Sequence, residues 1–280
     1  MPDFHSDHRG LAMLAILVSA FTAAAILEAL FPRRAEQPGM AHRWINNIAL
    51  AVLTISIVNW LEIALNVSVA WWVSGQDLGL LQHWETGWLA SLLITFVVLE
   101  LSVYAFHRLM HRVPWLWRLH AVHHSDTEFD ITLAYRNHPL AAAFLLCMRL
   151  PVIVLLGAPA EIILMYEATR VVQDLLSHSN IRIPPHVEKR LRLLIVTPDF
   201  HRLHHSSTRR YTDSNFSSTF PWFDYLFRTA SQRPFRDHET MQLGLERFRQ
   251  REDSRLDNLL LMPFDPNRFR RSPDRRSSAS

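Results

Sequence analysis

The sequence predicts an all-α integral membrane protein. The expected architecture is four to five membrane helices, two hairpin-like pairs plus an N-terminal span. A cytoplasmic helical cap holds a histidine-ligated di-metal site. Three observations predict it. Several apolar segments reach the roughly 20 residues that cross a bilayer's hydrocarbon core at about 1.5 Å per residue. Eight histidines fall in three tight clusters, His107-x3-His111, His120-x2-His123-His124 and His201-x2-His204-His205. Helical residues three or four apart share a face, so each cluster can aim its rings at one point. Neutral imidazole is the commonest protein metal ligand and suits Fe, Zn, Cu and Ni. Eight such ligands are too many for one tetrahedral ion and about right for two.

The first expected span is Leu11–Phe31, with a single acid, Glu28, near its end. The start, MPDFHSDHRG, is too weakly basic for a signal peptide and no small-residue cleavage site follows, so the span is expected to be retained. Pro32, Arg33, Arg34, Pro38 and Gly39 break the helix and form a basic loop. The second segment, Trp44–Val73, has polar interruptions at Asn59, Glu62 and Asn66 and ends in Trp71-Trp72, an interfacial aromatic pair. The third is Trp88–Phe106, with Glu100 inside. Pro139–Leu156 and about Ala160–Leu176 bracket a Gly-Ala-Pro turn and predict a hairpin that spans or dips. These elements divide the chain into residues 1–106, N-terminal membrane helices; 107–232, the histidine-motif region with its hairpin 139–176; and 233–280, a charged extension. The Arg-, Ser- and Pro-rich tail 263–280 reads as disordered.

Charge counting gives the orientation. Residues 1–100 hold four Arg and eight Asp or Glu, and the rest of the chain holds 25 of the 29 basic residues. The loop with Arg33, Arg34 and Arg43 is expected on the cytoplasmic side, and the Gly75–Gly87 loop, which has no Lys or Arg, outside. All three clusters then reach the cytoplasmic face, and a bacterial inner membrane is the expected location. The basic excess reads as membrane-facing, and no nucleic-acid partner is expected. The one cysteine, Cys147, excludes an internal disulfide and reads as a small apolar residue.

By spacing alone, His138 and His178 are lone histidines and read as hydrogen-bonded structural residues. His5, His8, His42, His83, His186 and His238 have no cluster partners and are assigned to surfaces and interfaces. Metal-bound imidazole donates its second N–H to a carboxylate or carbonyl. Asp126, Glu128, Asp130, Asp174, Asp199 and Asp213 are candidates for that role, with Asp199 read instead as a helix cap.

The strings Tyr104-Ala-Phe-His107-Arg-Leu-Met-His111-Arg, Leu116-Trp-Arg-Leu-His120-Ala-Val-His123-His124, Asn137-His138-Pro139, His178-Ser-Asn180 and Thr197-Pro-Asp-Phe-His201-Arg-Leu-His204-His205 carry a resemblance. With Trp222-Phe-Asp224-Tyr-Leu-Phe227, they resemble the fatty acid hydroxylase/sterol desaturase superfamily over roughly residues 90–230. The sequence departs from the family pattern at Ser217–Pro221 and at Arg228-Thr-Ala, which bears on local loop shape. The resemblance implies a non-haem centre of two Fe ions, with Zn acceptable to the same imidazoles, and O2 as co-substrate. It implies that His138 and His178 join the clustered histidines as ligands. It also implies a lipid substrate drawn from the bilayer and hydroxylated or desaturated. No flavin, haem-attachment or Fe–S motif appears, so electrons are expected from an external donor, a ferredoxin or cytochrome-b5-like reductase docking on the Arg-rich face. Two alternatives are a zinc-dependent membrane hydrolase and a metal transporter or sensor. The first lacks an H-E-x-x-H motif; the second would place its ligands within the spans.

Overall fold

The computed structural model describes residues 4–35, 39–76, 78–84 and 86–269. Among them there is no β-strand, only isolated bridges pairing Pro32 with Ile181 and Ser206 with Leu243. Helix α1 is Phe4–Leu30 and α2 is Met40–Thr54. A π-helical turn, Ile55–Asn59, joins α2 to α3, Trp60–Ser74. A short α4, Leu80–His83, leads to the long α5, Trp88–Arg112, and then α6, Pro114–His124. The hairpin is α7, Pro139–Leu156, and α8, Ala160–Ser177. Short helices follow: α9, Pro185–Leu191; α10, Pro198–His204; α11, Arg209–Thr212; α12, Trp222–Leu226; and α13, Leu256–Leu261.

Among the described residues, four stretches are long and apolar enough to cross a membrane: Leu11–Leu30, Met40–Ser74, Trp88–Arg112 and Pro139–Leu156. The fold is therefore the all-helical membrane architecture expected. Helix α8 matches α7 in length, but Glu161, Glu167, Arg170 and Asp174 make it the polar arm of the hairpin. The spans point Leu11, Val18, Leu89 and Leu93 outward, as a hydrocarbon surround requires. Trp71, Trp72, Trp84 and Trp88 are exposed around the α3–α5 connection and form an aromatic belt at that end.

Inside the bundle Ala70, Leu99, Ile153, Leu156, Ile163 and Tyr166 pack together. The polar residues of the spans satisfy one another. Arg149 of α7 donates to Glu62 of α3 at 2.6 Å and to Glu167 of α8 at 3.2 Å. Asn66 also donates to Glu167, and Tyr166 donates to Glu100.

The hairpin turn needs glycine. Gly157 ends α7 at φ 62, and Gly79 faces it at φ 100. A methyl on Gly157 would collide with the Leu78 carbonyl and the Gly79 backbone. Gly157→Ala is expected to cost about 1–3 kcal/mol, read as a lower unfolding temperature in detergent.

At the opposite end the α1–α2 loop is pinned to the histidine region. Arg33 is buried; it pairs with Asp199 at 3.3 Å and with Glu239 at 2.6 Å. Arg43, also buried, donates to Asp126 at 2.7 Å and to Asp130. These arginines hold the fold together rather than lie free in a loop, and they put that loop and the clusters at one end of the bundle.

The charged extension folds back on the helices. Phe248, Leu259 and Met262 pack on Leu50, Ala121 and Val122. Residues 263–269, expected in the tail, are ordered against these helices. The stretches Met262–Phe264 and Pro266–Phe269 form 3-10 turns, because the apolar run Leu259–Met262 supplies core side chains within a charged stretch. Residues 270–280 of the tail lie outside the described residues.

Candidate metal centre

Three helices and one helix end deliver the histidines. The last two turns of α5 carry His107 and His111. The extended Val113 and Pro114 at the first position of α6 break the chain, so α6 starts afresh and brings back His120, His123 and His124. The Thr197 hydroxyl accepts from the Phe200 N–H at 3.2 Å and caps α10, which carries His201 and His204 with His205 at its end. His178 closes α8.

Nine of the ten predicted ligands converge into two groups. His107, His111, His120, His124 and His204 form one; His123, His178, His201 and His205 form the other. Within each group every residue offers a nitrogen within 4.8 Å of the others, so each could hold an ion. The two H-x2-H-H repeats are used in opposite senses. The i, i+4 pair His120/His124 serves the first group and His123 the second; the pair His201/His205 serves the second and His204 the first. Adjacent histidines thus straddle the two groups, and the His124 and His205 rings stack at 4.5 Å between them.

His138 does not join either group. Its Nδ1 accepts from the Leu140 N–H at 3.1 Å, which caps α7, and its Nε2 donates to the Leu260 carbonyl at 3.2 Å. Both ring nitrogens are occupied, and the structure does not bring His138 together with the other expected ligands. His138→Ala is expected to leave metal content unchanged and to cost about 1 kcal/mol of stability. His178→Ala is expected to lose metal. Metal analysis of the two purified variants checks the contrast.

Backbone carbonyls fix the ring tautomers. His107 Nδ1 lies 2.7 Å from the Phe216 carbonyl, His204 Nδ1 2.6 Å from that of Ser214, and His178 Nδ1 2.8 Å from that of Asp174. A carbonyl only accepts, so each Nδ1 carries the proton and each neutral Nε2 presents a lone pair. The Nε2 atoms of His107 and His204 then face each other at 3.1 Å with no proton between them. The Nε2 of His178 faces those of His201 at 2.9 Å and His123 at 3.2 Å. Converging lone pairs repel unless a cation lies among them. Burial pushes the pKa values of His120, His123, His124, His201, His204 and His205 well below the ordinary range, and neighbouring imidazoles push them further. Protonation is therefore a poor remedy, and a metal ion is a good one. The spacing fits such an ion: two nitrogens each about 2.1 Å from it lie about 3.0 Å apart at a right angle and about 3.4 Å apart at the tetrahedral angle. The closest Nε2 pairs, 2.9 to 3.2 Å apart, fall in the range that two ligands of one ion would span.

The candidate carboxylates divide. Asp213 Oδ1 lies 3.4 Å from His111 Nδ1. Asp174 serves His178 through its main chain, while its side chain takes Arg170 and Ser218. Asp126 accepts from Arg43 and Asn47, and Asp130 from Arg43 and Trp44; both brace the site. Against the cost of burial, Arg43 and Arg136 hold the Asp126 carboxyl below its usual range. Asp199 is not the cap; it pairs with Arg33 and Arg202, while Thr197 caps α10. His238, assigned to a surface or interface, is buried with its Nδ1 3.9 Å from Asp199. His83 and His186 are exposed and His42 is half-buried; the side chains of His5 and His8 lie outside the described residues.

One structural role goes unread in the sequence. Asp224 is fully buried and accepts from the Phe216 N–H at 2.9 Å, the Ser217 N–H at 2.7 Å and the Thr229 hydroxyl at 2.6 Å. It sets the path of the loop whose carbonyls orient His107 and His204. Tyr104 packs on Phe216 and Phe223 beneath that loop.

Comparison with known proteins agrees with this layout. The fatty acid hydroxylase family model matches residues 92–229. An ornithine lipid hydroxylase from Rhizobium tropici is 28% identical over 82% of this chain and 70% of its own length. A Homo sapiens alkylglycerol monooxygenase is 24% identical over 52% of the chain, which spans 31% of that protein. A very-long-chain aldehyde decarbonylase from Oryza sativa subsp. japonica is 33% identical over 53% of the chain and 55% of its own length. No solved structure matches. The family match begins within α5 and ends just past α12, taking in every converging histidine and the loop that orients them: the chain belongs to the fatty acid hydroxylase/sterol desaturase superfamily.

Proposed function

We propose that this chain is an O2-dependent, di-iron membrane oxidoreductase that hydroxylates or desaturates a C–H bond of a lipid, fatty acyl, sterol or related. The observation that carries the reading is the convergence of unprotonated Nε2 atoms into two buried groups. His107, His111, His120, His124 and His204 would hold one iron, and His123, His178, His201 and His205 the other. Two irons held there would supply O2 activation, with the electrons that reduce O2 coming from the external donor.

The chain's own residues do the rest. Burial keeps the imidazoles neutral and excludes water. Carbonyls at Asp174, Ser214 and Phe216 fix which ring nitrogen faces the centre. The site lies at the end of membrane-length helices, which supports entry of a substrate from the bilayer. Two adjoining groups of five and four histidines, with no H-E-x-x-H motif, disfavour a zinc hydrolase, and the position of both groups at one end of the bundle disfavours a transporter. The arginines pinned at that end support a cytoplasmic placement in a bacterial inner membrane. An external donor, a ferredoxin or cytochrome-b5-like reductase, completes the electron path. The names of the relatives support a lipid substrate.

The test is metal analysis of the purified protein, followed by oxygen uptake with a lipid extract and a reductant. About two irons per chain, with a lipid that gains an oxygen atom or loses a hydrogen pair, are expected. Lipid hydrolysis by iron-free protein would sink the reading.

A further inference from the structure

Beside the first histidine group a cavity of about 320 Å³ opens, walled by His111, Arg108, Arg112, Arg209, Asp213 and Phe216. Its charge is lopsided. Asp213 is matched by Arg209, 3.2 Å away. Arg108 donates to the Tyr104 hydroxyl at 3.3 Å, and its Nε is buried without a partner. Arg112 is exposed and, among the described residues, makes no ion pair. Two guanidiniums in the cavity wall therefore lack a counter-charge. Guanidinium stays protonated at any ordinary pH and pairs with phosphate or carboxylate through two parallel hydrogen bonds.

The surroundings say what carries the anion. Arg108 and Arg112 lie at the end of a membrane-length helix whose Leu109 is exposed, and Trp115 just beyond it is exposed too. Phe227 stacks on Tyr104 at 5.3 Å and brings α12 to the same place, with Leu226 and Phe227 uncovered. An apolar rim at the end of a span, around a concave cationic pocket, fits an amphiphile. A soluble acidic protein would need a convex basic face free of bilayer.

We propose that Arg108 and Arg112 bind the anionic head, a phosphate or carboxylate, of the lipid substrate in this cavity, with its apolar part leaving across Trp115, Leu226 and Phe227. The assignment rests on the oxygenase reading for the word substrate and deepens it. The head is then held beside His111, within reach of the first histidine group.

The test reads lipid binding without turnover. Purified full-length holoprotein in detergent is titrated with phosphatidic acid, with phosphatidylcholine of matched chains, and with inorganic phosphate. The wild type is expected to bind phosphatidic acid about tenfold or more tightly than phosphatidylcholine. Arg108→Ala/Arg112→Ala should abolish that preference, and Arg108→Lys/Arg112→Lys should keep most of it. Arg236→Ala/Arg255→Ala removes the same charge from exposed positions outside the cavity and should leave the preference intact. Equal binding of the two lipids, survival of the preference in the first double variant, its loss in the charge-matched one, or inorganic phosphate binding as tightly as phosphatidic acid would each overturn the proposal. So would a first double variant that binds lipid normally and is slowed only with a protein reductant, which would give the cavity to the electron donor. Protein that shows the preference but takes up no oxygen with any lipid would sink the oxygenase reading and leave the anion site standing.

Discussion

Replacing His204 with alanine is expected to abolish oxygenation and deplete the protein of metal while leaving membrane insertion intact. His204 Nε2 lies 3.1 Å from His107 Nε2, and its ring centroid is 4.5 Å from that of His124 and 4.8 Å from that of His111. Alanine removes one donor from the five-membered group and leaves the buried lone pairs of the others without the ion that reconciles them. His120→Ala should do the same, since His120 Nε2 faces His107 at 2.9 Å and His124 at 3.1 Å. Loss of an outer hydrogen-bond partner costs about 10- to 100-fold, so loss of a ligand should exceed about a hundredfold in turnover. Insertion survives because the group sits at the end of the bundle, away from the lipid-facing side chains. Iron content and oxygen-dependent product formation read the outcome together. A variant with full turnover would remove its residue from the ligand set.

The largest stability effect is expected at Arg149. Arg149→Leu leaves the carboxylates of Glu62 and Glu167 between α3, α7 and α8 without their guanidinium partner. Breaking a buried pair by removing one partner costs about 3–5 kcal/mol. The unfolding temperature in detergent should fall accordingly. Replacing the whole network, Glu62→Gln/Arg149→Met/Glu167→Gln, should recover most of the loss, because the cost comes from uncompensated charge and not from the missing volume. A single Arg149→Leu variant as stable as the wild type would show that the network does not hold the helices.

The parts that could be read from the sequence are those where chemistry dictates residue type. Hydrocarbon demands apolar runs, and all four membrane-length helices lie where such runs fall. Metal demands imidazole at helical spacing, and nine of the ten predicted histidines converge. The parts that could not be read depend on distant partners or on the main chain. Arg33 and Asp199 are 166 positions apart and Arg43 and Asp126 are 83 apart, so no local pattern joins them. The resemblance enlisted His138, but Pro139 starts a helix directly after it and takes its ring as a cap. Gly39, at φ 90, starts α2 earlier than the apolar pattern suggested. The carbonyls of Ser214 and Phe216 left no trace, because every residue type offers one.

That last feature reaches beyond this centre. The oxygens that orient His107, His178 and His204 belong to no side chain, so point substitution cannot delete them and acid cannot titrate them. Only a change in the course of the ribbon moves them. Which ring nitrogen faces the centre is set here by distance to a neutral dipole, and an insertion of a single residue between 212 and 217 would disturb it more than most replacements there.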